Sequence, residues 1–393
     1  MRKVYMDHTA GIPVDPRVID VIKPYFEKFY GNPASLHSFA QETRKGLESA
    51  REKVATLIGA ERNEEVVFTS CATESNNWAI RGVAARNKDR GKHIITTSIE
   101  HMSVINVCKY LMKQGHKVSF LPVDKHGVVD LEALKKELTN ETILVSVMYA
   151  NGEIGTIEPI KEASKIVHGK NVYLHVDATA AVGQVAIDVQ EEGIDLLTLS
   201  SNDMYGPKGV GALYIKKGTR LEPLVYGGGQ ESGLRSGTEN LPSIVGMGKA
   251  AELAKAEMET EGKRQSRLRD KFINRLLKDI PYSFLNGHPS KRLPNNVAVR
   301  FSFIEGESML LNLDIAGVAA SSGSACTAKT LEPSHVLRAI GLKHEEAHGS
   351  LLFTLGKQNT EEDVDYVVGL LPDIVKRLRA MSPLTPNELR ESV

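Results

Sequence analysis

The sequence has little cysteine, no long apolar run and no excess of either charge. Its 393 residues include three cysteines, Cys71, Cys108 and Cys326, which form neither a CxxC pair nor a disulfide framework. Thiols spaced this widely indicate a reducing compartment, so we expect a cytoplasmic protein. The first residues lack a signal peptide's apolar stretch, and no apolar run approaches the roughly 20 residues of a membrane helix. No membrane association is therefore expected.

The charge balance and the length narrow the class further. The 49 basic and 49 acidic side chains cancel, so no global field favours nucleic acid, and we expect small-molecule or protein partners instead. A chain of this length is too long for one modest core. We therefore predict one large domain and a smaller one.

Short β-branched runs recur through the first 215 residues, with helical segments between many of them. Most connections are long enough to hold a crossover helix, which favours an α/β fold with a mostly parallel, seven-stranded sheet. Ligands of such sheets bind at the carboxyl ends of the strands. The predicted strands are 65–70, 93–97, 118–121, 143–148, 172–177, 196–200 and 210–215.

A second unit follows a helical, charge-rich connector over residues 242–280. It contains strand-like segments, an apolar segment, a turn-rich loop and a final helix, which suit a small α+β domain. These segments are 296–303, 308–313, 350–355 and 361–381. We predict a large domain over 15–260 and a small domain over 1–14 and 261–393. The tail from Ser382 is either a flexible end or a docking segment.

Polar residues lie where several of these strands end. A helix follows the strand at Phe68, with Ala72 and Thr73 at the junction. A phosphate could bind this helix amino terminus, or Thr73 could simply cap the helix. His101 follows a second strand and Asp177 ends a third, and each could be an ordinary solvated or capping residue.

Two loops of small residues carry further candidates. The loop formed by Gly227–Glu231 and Arg235–Thr238 is rich in glycine, which by itself is a weak signal for an anion site. The loop Ser321–Pro333 holds Cys326. A free cysteine is usually buried, but serine and glycine build mobile loops rather than cores. This composition argues against a buried position for Cys326.

Taken in their order along the chain, these motifs resemble those of the pyridoxal-phosphate cysteine desulfurases. Those are class V aminotransferase-like proteins of fold-type I. Within them, the resemblance is to the iron–sulfur cluster assembly branch. The resemblance implies a homodimer, with Thr238 reaching the phosphate in the neighbouring subunit, and a persulfide on Cys326. It also implies catalytic roles for Cys326 and His101. The implied cofactor-binding residues are Ala72, Thr73, Asn151, Asp177, Ser200, Asn202, Asp203 and Thr238.

The chain departs from the family at the strand end Leu197–Gly209. The lysine that holds the cofactor as a Schiff base is replaced there by Asp203, and a carboxylate cannot form an imine. The other replacements relative to the family are glycine to Cys71, asparagine to Gly152, glutamine to Ala180, histidine to Asn202 and the substrate-binding arginine to Leu352. We therefore expect pyridoxal phosphate to be bound at most non-covalently, or the pocket to be empty.

The hypothesis that follows is a desulfurase-like protein of iron–sulfur cluster assembly. It docks a scaffold protein and presents Cys326 as sulfur carrier or as metal ligand of a cluster, for example 2Fe–2S, shared with that partner. Desulfuration of L-cysteine is expected to be weak or absent. One alternative is an active desulfurase with non-covalent pyridoxal phosphate, and another is a non-catalytic decoy subunit that pairs with an intact desulfurase.

Overall fold

The computed structural model describes residues 2–322 and 333–387. Its strands are β1 Val4–Tyr5, β2 Val66–Thr69, β3 His93–Thr97, β4 Lys117–Leu121, β5 Thr142–Met148, β6 Tyr173–Asp177, β7 Leu196–Ser200, β8 Gly211–Ile215, β9 Ser283–Leu285, β10 Asn296–Phe301, β11 Val318–Ala319 and β12 Ser350–Thr354. The helices are α1 Pro16–Ile22, α2 Pro24–Glu27, α3 Phe39–Ile58, α4 Ala72–Arg86, α5 Met102–Lys113, α6 Leu131–Glu137, α7 Ile160–His168, α8 Leu241–Asp279, α9 Gly306–Ile315, α10 His335–Ala339, α11 His344–His348 and α12 Glu361–Met381.

The central sheet has seven strands in the order β2-β8-β7-β6-β5-β3-β4. The pairs from β7 to β4 are parallel, whereas β8 runs antiparallel to both β2 and β7. The direct β7–β8 connection is too short for a crossover helix, so this pair must be antiparallel. The predicted α/β class and mostly parallel seven-stranded sheet are confirmed.

Burial of the middle strands explains why they form. Every residue of β5, of β7 and of β8 is buried, as expected for strands with helices on both faces. The register aligns Met148, Asp177 and Thr198 across β5, β6 and β7. The polar residues that follow these strands therefore meet at one edge of the sheet.

A smaller sheet, β12-β10-β9, is antiparallel. The long helix α8 serves both sheets: Leu241–Ala254 contributes to the core under the large sheet, and Leu268–Leu276 contributes to the core with β10, β12 and α12. The apolar segment predicted over 308–313 lies in α9. The domain division at 14/15 and 260/261 stays a prediction.

Both ends of the chain join the smaller unit. Strand β1 pairs with β11, and the Thr354 amide donates to the Met6 carbonyl at 2.8 Å. After α12, the tail is described to residue 387, and the Thr385 side chain is buried. No helix in the described part of the chain is long and apolar enough to cross a membrane.

Candidate functional site

The first element of the site is the junction between β2 and α4. Cys71 is the N-cap residue, in an extended conformation, and its side chain makes no capping hydrogen bond. The amides of Ala72 and Thr73 therefore face an uncapped helix amino terminus, which favours an anion. A Cβ on Gly211 would lie 2.8 Å from the Cys71 carbonyl carbon, so only glycine lets β8 pack against this junction.

A chain of hydrogen bonds joins His101 to Asp177. The His101 Nδ1 atom accepts from the Ser103 amide at 3.2 Å and lies 2.8 Å from the Ser103 hydroxyl oxygen. The Asn76 amide donates to the same hydroxyl at 2.8 Å and to Asp177 Oδ2 at 2.6 Å. Because His101 Nδ1 accepts, the proton of the neutral imidazole lies on Nε2. Thr179 donates its amide and hydroxyl to Asp177 Oδ1.

A buried acid, Glu100, lies beside His101 in sequence. Its Oε1 atom accepts from the Thr97 hydroxyl at 2.7 Å and from the Met148 amide at 2.9 Å. Its Oε2 atom has no hydrogen-bond partner among the described residues. Burial raises the pKa of Glu100 to about 8, so this carboxyl is neutral at physiological pH.

The turn after β7 holds Asp203, and its replacement of the family's lysine stays a prediction. Residues Asn202–Met204 form a short 3-10 turn that ends at Tyr205 with φ of 62°. Burial raises the pKa of Asp203 to about 6, and the charge of Asp177 adds to the rise, while hydrogen bonds from Ser200 and Asn202 oppose it. The buried Asn202 Oδ1 atom lacks a partner within the described ranges.

The turn after β5 brings Gly152 close to Ala180. A Cβ on Gly152 would lie 3.5 Å from the Ala180 Cβ. Asn151 supports this turn. Its Oδ1 atom accepts from the Glu153 and Ile154 amides, and its Nδ2 donates to the Ile99 carbonyl. The Asn151 amide is thus engaged within the protein, and its cofactor role stays a prediction.

Strand β12 carries Leu352, and its replacement of the family's substrate-binding arginine stays a prediction. Leu352 is buried, and its backbone exchanges two hydrogen bonds with Ser321. Leu351 and Phe353 belong to the core of the smaller unit, so strand alternation turns Leu352 to the opposite face. Cys326 lies outside the described residues.

The glycine-rich loop is held by an ion pair. Arg51 Nη1 and Nη2 lie 2.7 and 2.8 Å from the two carboxylate oxygens of Glu231, and Glu231 also accepts from the Phe68 amide. Arg235 pairs with Glu74 at 2.9 Å. Thr238 is exposed on the same loop, and its proposed contact across a dimer stays a prediction.

An open cavity of about 480 Å³ joins the α4 junction to His101. Thr73, Asn77 and Arg81 line it from α4, and Tyr110 lines it from α5. The cavity shows that the uncapped helix end and the imidazole share one solvent-accessible space.

The residues fit pyridoxal phosphate at two of its three recognition points. The uncapped α4 terminus suits the phosphate, and the hydrogen-bonded carboxylate of Asp177 suits a protonated ring nitrogen. At the aldehyde end the residue present is Asp203, which offers no amine. Non-covalent binding of the cofactor stays a prediction.

Comparison with known proteins assigns the family. The family model for aminotransferase class-V matches residues 4–367. The chain is 58% identical to cysteine desulfurase IscS 1 of Archaeoglobus fulgidus, over 97% of this chain and 99% of that protein. The chain belongs to the cysteine desulfurase family of class-V aminotransferases.

Two further proteins resemble this chain over nearly its whole length. The chain is 52% identical to cysteine desulfurase IscS of Methanosarcina thermophila, over 99% of this chain and 96% of that protein. A solved structure titled NifS-like protein superposes with a TM-score of 0.90 at 39% identity, covering 96% of this chain and all of that one. The fold of the family thus extends over nearly the whole chain.

Sequence reasoning missed the two residues that link the predicted site residues His101 and Asp177. Asn76 and Ser103 connect Asp177 to His101, although neither was a candidate. The signal for Asn76 is its position one turn after Ala72 on the buried face of α4, where an amide needs a partner. Ser103 lies two residues after His101, within reach of its ring.

Proposed function

We propose that this chain is a desulfurase-fold protein of iron–sulfur cluster assembly, acting in the cytoplasm. It docks a scaffold protein and presents Cys326 as sulfur carrier or as ligand of a cluster such as 2Fe–2S shared with that partner. Its release of sulfur from L-cysteine is weak or absent. The names of its relatives support the pathway, and the residues around Asp203 support the loss of activity.

The observation that carries the proposal is the carboxyl of Asp203, with its raised pKa, at the end of β7. The next lysine along the turn, Lys208, does not replace the missing amine, because its Nζ atom donates to the Ile12 carbonyl at 3.3 Å. Loss of a general base alone typically costs about 10²–10⁴-fold in rate. Leu352 removes the charge that would orient a substrate carboxylate.

The residues at the phosphate and ring positions still support binding of the cofactor. Pyridoxal phosphate, when bound, supplies an electron sink for carbanion chemistry. Ala72 and Thr73 would hold its phosphate, with Ser200 and, from a second copy, Thr238. Asp177 would hold its ring nitrogen, and His101 would stack on the ring with a proton on Nε2. Asn202 and Asp203 would face the aldehyde end.

Sulfur can reach Cys326 without an outside oxidant when the donor is a persulfide. The Cys326 thiolate attacks the terminal sulfur, the donor's sulfur–sulfur bond breaks, and the donor leaves as a thiolate. The terminal sulfur is then carried on Cys326. Alternatively, the Cys326 thiolate binds iron, and the scaffold supplies the remaining ligands.

A homodimer is part of the proposal. Several large apolar side chains on and near the first helices are exposed: Phe26 by 70%, Tyr30 by 71%, Leu36 by 97% and Phe39 by 64%. On the glycine-rich loop, Tyr226 is 74% exposed. Apolar exposure on this scale is typical of an interface.

The decisive experiment measures cluster formation on the mixed complex. The full chain and a scaffold protein are mixed anaerobically with iron and a persulfide donor, and iron and sulfide are then measured. Replacement Cys326→Ser should abolish the cluster, while the control Cys71→Ser, which removes the exposed thiol of Cys71, should not. An unchanged iron and sulfide content in Cys326→Ser would contradict the proposal.

A second assay separates the alternatives. The wild-type chain is supplied with pyridoxal phosphate and L-cysteine, and alanine is measured. Robust, cofactor-dependent turnover would favour an active desulfurase instead. Formation of a heterodimer with a co-expressed intact desulfurase, without cluster formation, would favour a decoy subunit.

A further inference from the structure

Away from this site, α11 carries two histidines one helical turn apart. His344 and His348 begin and end the helix, and their Nε2 atoms lie 3.4 Å apart. The segment His344-Glu345-Glu346-Ala347-His348 reads H-E-x-x-H, a pattern in which histidines four residues apart share one helix face and can bind zinc. The two imidazoles are therefore placed to act together.

The distance between the two nitrogens suits a metal ion. Zinc binds imidazole nitrogen at about 2.0–2.1 Å, so two such ligands at a tetrahedral angle lie about 3.3–3.4 Å apart. Without an ion, one Nε2–H donates to the other Nε2. An ion that binds both nitrogens displaces this proton, which moves through solvent to Nδ1 of the same ring, so both ligands are neutral imidazoles.

The backbone holds the pair in place. Ala347, between the histidines, is buried in a cluster with Ile99, Met148 and Leu337. The helix ends at Gly349, where a Cβ would lie 2.3 Å from the Phe301 carbonyl oxygen. Because the helix is packed against the core on one side, little motion has to be frozen when an ion binds.

The surroundings define what kind of site this is. The histidines line a groove of about 820 Å³ together with Glu305 and the tail residues Ser382–Leu384. Among residues 2–322 and 333–387, no group of three or more histidine, cysteine or acidic side chains is arranged to hold a metal ion. The H-E-x-x-H peptidases need a third protein ligand, so the pair suits binding rather than hydrolysis.

We propose that His344 and His348 form a two-histidine site for a borderline divalent transition-metal ion, with Zn²⁺ as the test ion. Imidazole ligands suit zinc, copper, iron and nickel, whereas magnesium and calcium prefer oxygen ligands. Water completes the coordination, or a side chain of a protein bound in the groove does. The site is independent of the function proposed above.

The test is a zinc titration of the full-length chain after removal of bound metal, with a coloured zinc indicator as competitor. Wild-type protein is compared with His344→Ala, His348→Ala and the control His37→Ala, which removes another exposed imidazole. Each α11 variant should bind one equivalent of zinc at least about tenfold more weakly than wild type does. Loss of even a residue that only supports a metal ligand commonly lowers metal affinity about 10–100-fold. The control should bind as wild type.

Two results would overturn the inference. One is that His344→Ala and His348→Ala both bind one equivalent of zinc as tightly as wild type. This result would be expected if the zinc were bound to a thiol instead. The other comes from nitrogen NMR of the unmutated protein, which does not depend on how the variants fold. Zinc should shift the Nε2 signals of both histidines and Mg²⁺ should not; absence of a zinc-induced shift would end the proposal.

Discussion

The Glu153 carboxylate accepts a 2.8 Å hydrogen bond from the hydroxyl of Ser334. Ser334 caps α10, since its Oγ atom also accepts from the amides of Val336 and Leu337. The contact therefore joins the turn after β5, which lines the candidate site, to the helix that follows residues 323–332. Burial raises the pKa of Glu153 to about 7.

Replacement Glu153→Gln should change how stability depends on pH. The carboxyl ionises near pH 4.5 when unfolded and near 7 when folded, so wild-type stability falls as pH rises from about 4.5 through 7. Glutamine cannot ionise. We expect the free energy of unfolding of the variant, relative to that of wild type, to rise by about 1–3 kcal/mol between pH 4 and pH 8. Urea unfolding measures this difference.

The matched control for this measurement is Glu162→Gln, which changes an exposed carboxyl in α7. Its stability relative to wild type should be the same at both pH values. Parallel pH profiles for wild type and Glu153→Gln would show that Glu153 does not hold a proton in the folded protein.

Restoring the missing groups should restore activity stepwise. Asp203→Lys should bind pyridoxal phosphate covalently and give the visible absorption band of a lysine-bound cofactor, which wild type should lack. Turnover of L-cysteine should remain low until Leu352→Arg is added to orient the substrate carboxylate. A double variant without the band and without turnover would mean that other differences, such as Gly152 and Ala180, also block the site.

The Arg51–Glu231 pair should contribute far more to stability than a surface pair does. Both side chains are at least nine-tenths buried, so Arg51→Ala leaves an unpaired buried carboxylate and should cost about 3–5 kcal/mol. The control Lys45→Ala breaks an exposed pair with Glu42 and should cost at most about 1 kcal/mol. Equal losses in denaturant unfolding would contradict this assignment.

The exposed apolar side chains near the first helices and on the glycine-rich loop predict that charged replacements change the oligomeric state. Leu36→Asp and Tyr226→Asp should convert a dimer to a monomer in light scattering, because each puts a charge into an apolar contact. Leu311→Asp, at a 67% exposed position of α9, is the control and should leave the mass unchanged. A wild-type monomer, or dissociation by the control alone, would contradict the proposed interface.

Local patterns predicted the elements of the fold better than their pairing. All seven strands of the large sheet, and the helix Glu361–Met381, follow from β-branched runs and helical periodicity. The short strands β1, β9 and β11 were not predicted. They have two or three residues each; β1 and β11 form because two distant segments pair, and β9 forms by pairing with β10.

In the candidate site, too, local patterns predicted the positions of single residues better than the contacts between them. Thr73, His101 and Asp177 could be placed at strand and helix ends from the sequence. The link through Asn76 could not, because Asn76 and Asp177 are 101 residues apart and only the packing of α4 on β6 brings them to 2.6 Å. The raised pKa values of Glu100 and Glu153 likewise depend on burial, which no local pattern of charges reveals.

The pairing of Val4–Asp7 has a consequence for the order in which this protein folds during synthesis. These residues are made before the large sheet, yet their strand partners are Val318, Ala319 and Thr354. The seven-stranded sheet closes within residues 66–215 and can form on the ribosome while the first residues wait. Completion of the smaller unit therefore follows the synthesis of β12, because it joins segments that are far apart in the chain.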